Sequence, residues 1–105
     1  MNAFLAPVAI AAAVLLAPVA AFADTAHVGI KDFMFTPATI TVPQGTTVQW
    51  INLDDIPHTV VEKNKAFRSK ALDTDDAYSF TFASAGTFDY FCGLHPYMVG
   101  KIIVK

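Results

Sequence analysis

Residues 24–105 predict an all-β fold, a Greek-key β-sandwich of about seven to eight strands. Two observations lead to this prediction. Short runs alternate polar and apolar residues, as in Thr-Ile-Thr-Val at 39–42, and turn-forming residues separate these runs. No stretch in this part of the chain repeats apolar residues at the spacing of a helix. Because successive side chains of a strand point to opposite faces, each run has one face for a core and one for solvent.

The predicted strands follow one another at short intervals. Pro-Gln-Gly at 43–45 and Ala-Ser-Ala-Gly at 83–86 provide two of the turns between them. In residues 63–77 four basic residues precede three acidic ones and the alternation stops, so we expect a strand-poor excursion over the surface with room for one helical turn. The seven runs are residues 26–31, 39–42, 47–52, 58–62, 78–82, 87–92 and 101–105.

The first 23 residues predict a secretory signal peptide that is cleaved before Asp24. Residues 4–22 are apolar and uncharged, and Ala21-Phe22-Ala23 places small residues at both positions that a signal peptidase reads. The usual basic residue before the apolar run is missing, and a membrane anchor is the alternative. Pro7 and Pro18 count against an anchor. We therefore expect an exported, periplasmic domain spanning residues 24–105, with no membrane insertion of the mature form.

The net charge and the cysteine content limit what the protein is expected to bind. The chain has 9 acidic and 7 basic residues, a net charge of -2, which argues against nucleic acid or an anionic membrane surface as a partner. Its one cysteine cannot form a disulfide within the chain. A lone thiol in an oxidising compartment is protected when it is bound to a metal.

The metal is suggested by the stretch Cys92-Gly93-Leu94-His95-Pro96-Tyr97-Met98, in which thiolate, imidazole and thioether donors are three residues apart. His58, after Pro57, supplies a second imidazole. A thiolate, two imidazoles and a weak, long thioether bond are the ligands of a blue, type 1 copper centre. Alternation along residues 88–92 predicts that Cys92 points inward at the end of its strand, and that His95 and Met98 lie in the loop that follows.

Other chemistries fit these residues less well. Structural zinc sites take four nitrogen or thiolate donors, which leaves Met98 without a role. A Cys92–His95 nucleophile pair requires an orienting group and an oxyanion hole that this short stretch does not indicate. A copper carrier of the same fold is an open alternative. His27 is expected to be a solvent-facing strand residue.

The chain resembles the cupredoxins, and among them the amicyanins, whose short ligand loop has the same two-residue gaps on both sides of the histidine. The resemblance implies that His58, Cys92 and His95 are the strong ligands of one type 1 copper ion and Met98 the axial one. It also implies that Asn52 is bonded to the ligand loop, here through backbone because Gly93 has no side chain. The stretches that carry the resemblance are residues 47–52 (Thr-Val-Gln-Trp-Ile-Asn), 57–58 (Pro-His), 86–90 (Gly-Thr-Phe-Asp-Tyr) and 92–101.

The same resemblance implies a function. A cupredoxin of this kind is a monomeric, non-enzymatic carrier that passes single electrons between larger redox proteins as copper cycles between Cu(II) and Cu(I). For the amicyanins, the donor and acceptor are an amine dehydrogenase and a c-type cytochrome.

Overall fold

The computed structural model describes residues 24–105, so the predicted signal peptide lies outside the described residues. This part of the chain has no helix that is long and apolar enough to cross a membrane. It forms eight strands: β1 (Thr25–Lys31), β2 (Met34–Thr36), β3 (Thr39–Val42), β4 (Thr46–Asn52), β5 (Val61–Glu62), β6 (Ala77–Phe82), β7 (Gly86–Cys92) and β8 (His95–Val104).

The strands form two four-stranded sheets, in the orders β2-β1-β4-β6 and β3-β8-β7-β5. Each sheet is mixed, since β1 pairs with β4 and β3 with β8 in parallel while the other pairs are antiparallel. Only the β1–β2 and β7–β8 hairpins join strands of one sheet, and every other connection crosses to the opposite sheet. The predicted all-β sandwich is therefore confirmed.

The core lies between the sheets and is rich in aromatic rings. Alternate residues of β4 are buried, including Val48 and Trp50, which share a face as predicted. On β7, Tyr90 and Cys92 are buried and Phe88 packs against the core, so their shared inward face is also confirmed. Burial of these apolar groups is the main favourable term for a domain of this size.

Three expectations about the elements were wrong. β2 was not predicted. β8 begins at His95 instead of residue 101, so His95 and Met98 lie on a strand and not in a loop. The segment 63–77 contains no helical turn, and it is not confined to the surface, because Phe67 and Leu72 are buried.

Tyr90 and Gly100 are directly paired across β7 and β8, and their close packing requires a glycine. A Cβ atom at Gly100 would overlap the Tyr90 ring. The ring is 2% exposed, and burial raises the pKa of the Tyr90 phenol to about 12, with the Trp50 indole acting weakly against this rise. Neither the Tyr90 hydroxyl nor the Trp50 N–H has a partner that meets hydrogen-bond geometry.

Replacing Gly100 by alanine should therefore destabilise the sandwich. We expect Gly100→Ala to lower the free energy of unfolding by about 1–3 kcal/mol, the usual cost of overpacking a core. Gly29→Ala is the matched control, because a Cβ atom on that β1 residue would lie 3.6 Å from Leu53, an ordinary contact. Urea unfolding of both variants measures the difference, and equal stabilities would contradict this account of Gly100.

Candidate metal centre

The β7–β8 hairpin brings a thiol and an imidazole together. Cys92 ends β7, Gly93 and Leu94 form the turn, and His95 begins β8 as the direct partner of Cys92. The register shifts between Phe91 and Cys92, so the ladder is irregular where the hairpin closes. Cys92 is fully buried, whereas His95 is partly exposed.

His58 reaches the same place from the connection between β4 and β5. Its backbone makes an isolated bridge with Leu72, with N–H···O distances of 3.1 and 2.7 Å. The Asn52 side chain fixes this connection by donating to the carbonyls of Ile56 and Leu72, both at 2.8 Å, and by accepting the N–H of Asp54 at 2.9 Å. The His58 ring is fully buried.

The three donor atoms converge. Cys92 Sγ lies 3.6 Å from Nδ1 of His58 and 3.6 Å from Nδ1 of His95, and all three ligand atoms fall within 4.8 Å of one another. Metal–sulfur and metal–nitrogen bonds of about 2.3 and 2.0 Å that meet at roughly 120° separate their outer atoms by about 3.7 Å. The observed spacing therefore fits one metal ion held between a thiolate and two imidazoles.

Met98 lies on the inward face of β8. It is 2% exposed, between the exposed residues Tyr97 and Val99. A thioether buried three residues beyond His95 is suited to a weak axial contact with a soft metal. The third histidine, His27, is exposed on β1 opposite Gln49, which agrees with the solvent-facing position expected for it.

Thr59 connects the two segments that carry the candidate ligands His58 and Cys92. Its backbone N–H donates to Cys92 Sγ at 3.3 Å, and its hydroxyl accepts the N–H of Gly93 at 2.7 Å. The expectation that Asn52 bonds to the Cys92 loop was wrong. Its side chain bonds instead to Ile56 and Asp54, which precede His58, and to Leu72, which pairs with it. A Cβ atom at Gly93 would lie 3.0 Å from the Thr59 hydroxyl, so a glycine allows this close approach.

Asp54 fixes the orientation of the His58 ring. Its Oδ2 lies 2.8 Å from Nε2 of His58. Desolvation by burial acts to raise the pKa of Asp54, but hydrogen bonds from the backbone of Phe33 and Asp32 and from His58 together lower it. An ionised carboxylate only accepts hydrogen bonds, so Nε2 is the nitrogen that donates to Asp54, and Nδ1, which faces the thiol, is the nitrogen left to bind a metal. This role was not predicted from the sequence, although an acidic residue four positions before a candidate ligand was a signal of it.

Comparison with known proteins agrees with this geometry. The sequence profile of the Cupredoxin-like domain family matches residues 4–104. The chain is 42% identical over 88 residues to the amicyanin of Paracoccus versutus, covering 79% of this chain and 67% of that protein. It is 34% identical over 110 residues to amicyanin-alpha of Methylorubrum extorquens, covering 100% of this chain and 92% of that protein.

The three-dimensional comparison gives the same result. The crystal structure of Paracoccus versutus amicyanin superimposes with a TM-score of 0.71 at 38% identity, covering 82% of this chain and 86% of that chain. A profile match over most of the chain and relatives above 30% identity show common descent. The chain therefore belongs to the cupredoxin family of type 1 copper electron carriers.

Proposed function

We propose that His58, Cys92, His95 and Met98 hold one copper ion and that the protein carries single electrons between two larger redox proteins. The observation that supports this most directly is the thiol of Cys92 facing two imidazole nitrogens at 3.6 Å each. Bound copper supplies the one-electron couple between Cu(II) and Cu(I). A His2Cys set with a distant methionine is the donor set specific to such centres.

The protein's own contribution is to hold the donors in place. Cys92 and His95 are paired strand residues, and His58 is held by its bridge to Leu72. The Thr59 N–H that donates to Cys92 Sγ withdraws electron density from the sulfur, and hydrogen bonds to a ligating sulfur tune a metal's reduction potential. Ligands that keep their positions let the ion change charge without rearranging the site.

The fixed site favours electron transfer over the two alternatives. A copper carrier must release its ion, whereas here one imidazole and the thiol are fully buried. A cysteine-nucleophile enzyme requires a substrate pocket at the thiol. A groove of about 520 Å³ lies on the outer face of the second sheet, beside Phe91 and Val99, and its lining includes neither Cys92 nor the two histidines. We therefore propose a carrier that does not itself catalyse bond formation or cleavage.

We further propose that the mature protein is a periplasmic monomer whose donor and acceptor are an amine dehydrogenase and a c-type cytochrome. Support comes from the predicted signal peptide and from the similarity to amicyanins. His95 is the partly exposed member of the ligand set, and Leu94 and Tyr97 beside it are 52% and 71% exposed. A small apolar contact surface of this kind suits short-lived redox encounters.

Removing the thiolate tests the ligand assignment. Cys92→Ala should abolish both the intense blue absorption and the retention of copper, while the sandwich still folds, because the residue is small and at a strand end. His27→Ala is the matched control and should behave as the wild type. Visible spectra and copper content after gel filtration give the result, and a blue Cys92→Ala protein would refute the assignment.

The axial position makes a separate prediction. Met98→Leu should keep a coloured copper site with a raised reduction potential, because loss of a weak thioether donor disfavours Cu(II) more than Cu(I). Cyclic voltammetry of the variant and the wild type measures the change. An unchanged potential would mean that Met98 does not contact the metal.

The proposed export makes a prediction about the mature terminus. Cleavage after Ala21-Phe22-Ala23 should give an exported protein that begins at Asp24. N-terminal sequencing of the periplasmic fraction provides the test. An uncleaved protein in the membrane fraction would support the anchor instead.

A further inference from the structure

The β1–β2 hairpin closes with an unfavourable turn. Its two turn residues, Asp32 and Phe33, have φ angles of 52° and 59°, between the paired residues Lys31 and Met34. Two positive φ angles in a two-residue loop match the hairpin turn that glycine and asparagine favour. Aspartate tolerates this conformation, but a phenylalanine rarely adopts it. The turn therefore needs a stabilising contact from elsewhere.

Asp54 provides that contact. Its Oδ1 accepts the N–H of Asp32 at 2.7 Å and its Oδ2 accepts the N–H of Phe33 at 3.1 Å. The same Oδ2 lies 2.8 Å from Nε2 of His58. Asp54 is 8% exposed, and its own N–H is held by the Asn52 amide. One buried carboxylate thus joins the turn to a candidate copper ligand.

The side chain of Phe33 extends from this turn over both imidazoles. Its ring centroid lies 5.1 Å from that of His95 and 5.5 Å from that of His58, with interplanar angles of 86° and 90°. These are edge-to-face contacts, the arrangement that aromatic pairs favour. Because the ring is still 41% exposed, burial in the core does not explain its position.

We propose that Asp54 and Phe33 form one positioning unit for the two imidazoles: Asp54 fixes His58 and holds the turn, and the turn holds the Phe33 ring against His95. This inference rests on the proposed function, since it concerns the same ligands. The Phe33 contact restricts rotation of the partly exposed His95 ring and slows its departure from the metal. Both residues act through the ligands and neither contacts the ion.

Phe33→Gly tests the ring without harming the turn, because glycine adopts positive φ angles readily. Phe33→Tyr keeps an aromatic ring and is the conservative rescue. Met34→Ala is the matched control, since Met34 is the next residue, is 58% exposed, and has no aromatic ring to produce a ring current.

The first measurement uses metal-free protein above neutral pH and follows the His58 and His95 ring protons by NMR. The Phe33 ring current should shift the His95 protons in the wild type, Phe33→Tyr and Met34→Ala, and the shift should disappear in Phe33→Gly. Unchanged His95 shifts in Phe33→Gly would overturn the proposed contact. Asp54→Asn tests the connection to the turn: it should also move the His95 signals, and wild-type positions in that variant would refute the role of Asp54.

The second measurement follows transfer of Cu(I) from the loaded protein to excess bicinchoninic acid. Loss of a residue that orients a ligand typically costs about 10–100-fold in metal affinity. Because the Phe33 ring restrains His95 in its bound position, we expect this loss in the dissociation step, so Phe33→Gly should release copper at least about tenfold faster than Met34→Ala. Equal rates would refute the positioning role. A wild type that binds no copper would refute the proposed function instead, and the metal-free NMR comparison would still test the contact.

Discussion

The pairing of Cys92 with His95 across a two-residue turn is the contact on which the rest of the site depends. It fixes a thiol and an imidazole on adjacent strand ends through the hydrogen bonds of β7 and β8. Only two hairpins in the described chain stay within one sheet. The other one, between β1 and β2, carries Phe33, whose ring contacts His95. The connection from β4 to β5, which crosses between the sheets, places His58 beside Cys92 and His95.

The connection that carries His58 into the protein also buries polar side chains, and each of them requires a hydrogen-bond partner. An imidazole, a carboxylate and an amide removed from water are costly unless they are hydrogen-bonded. Here Asn52 bonds to Asp54, Asp54 bonds to His58, and the carboxylate also accepts two N–H groups of the β1–β2 turn. These hydrogen bonds use Nε2 of His58 and leave Nδ1 facing the Cys92 thiol. The contacts that stabilise the fold therefore also orient Nδ1 for the proposed metal.

The sequence predicted the sandwich and the closeness of Cys92 and His95, because alternation and residue spacing are local signals. It predicted His58 as the second imidazole from the Pro57-His58 pair and from the resemblance to the cupredoxins. It did not predict β2, which has only three residues and follows a turn without glycine or asparagine. The sequence also did not predict that β8 begins at His95. Pro96 lacks the N–H of a regular strand residue, and the apolar residues Tyr97 and Val99 are exposed, so the usual alternation is absent.

The link through Thr59 was unpredictable for a different reason. The Thr59 N–H and the Cys92 sulfur are separated by 33 positions in the chain, and they approach because β5 pairs with β7 in one sheet, with Val61 opposite Phe91. Gly93 was the one sequence signal of this contact, because a side chain at that position would crowd the Thr59 hydroxyl. The pairing of strands that are far apart in the chain depends on the overall topology and leaves little pattern in either segment.

Phe33 breaks two local rules at once, since a bulky residue has a positive φ angle and an apolar ring remains in solvent. Proteins tolerate such conflicts mainly where function requires them. Three of the proposed ligands also differ in exposure: Cys92 and His58 are fully buried, and His95 is partly exposed. His58 is enclosed by a charged hydrogen bond, whereas His95 is covered by an apolar ring edge. An apolar ring can restrain the His95 imidazole and still leave part of it open to a redox partner. A carboxylate in the same place would add a negative charge to the contact surface.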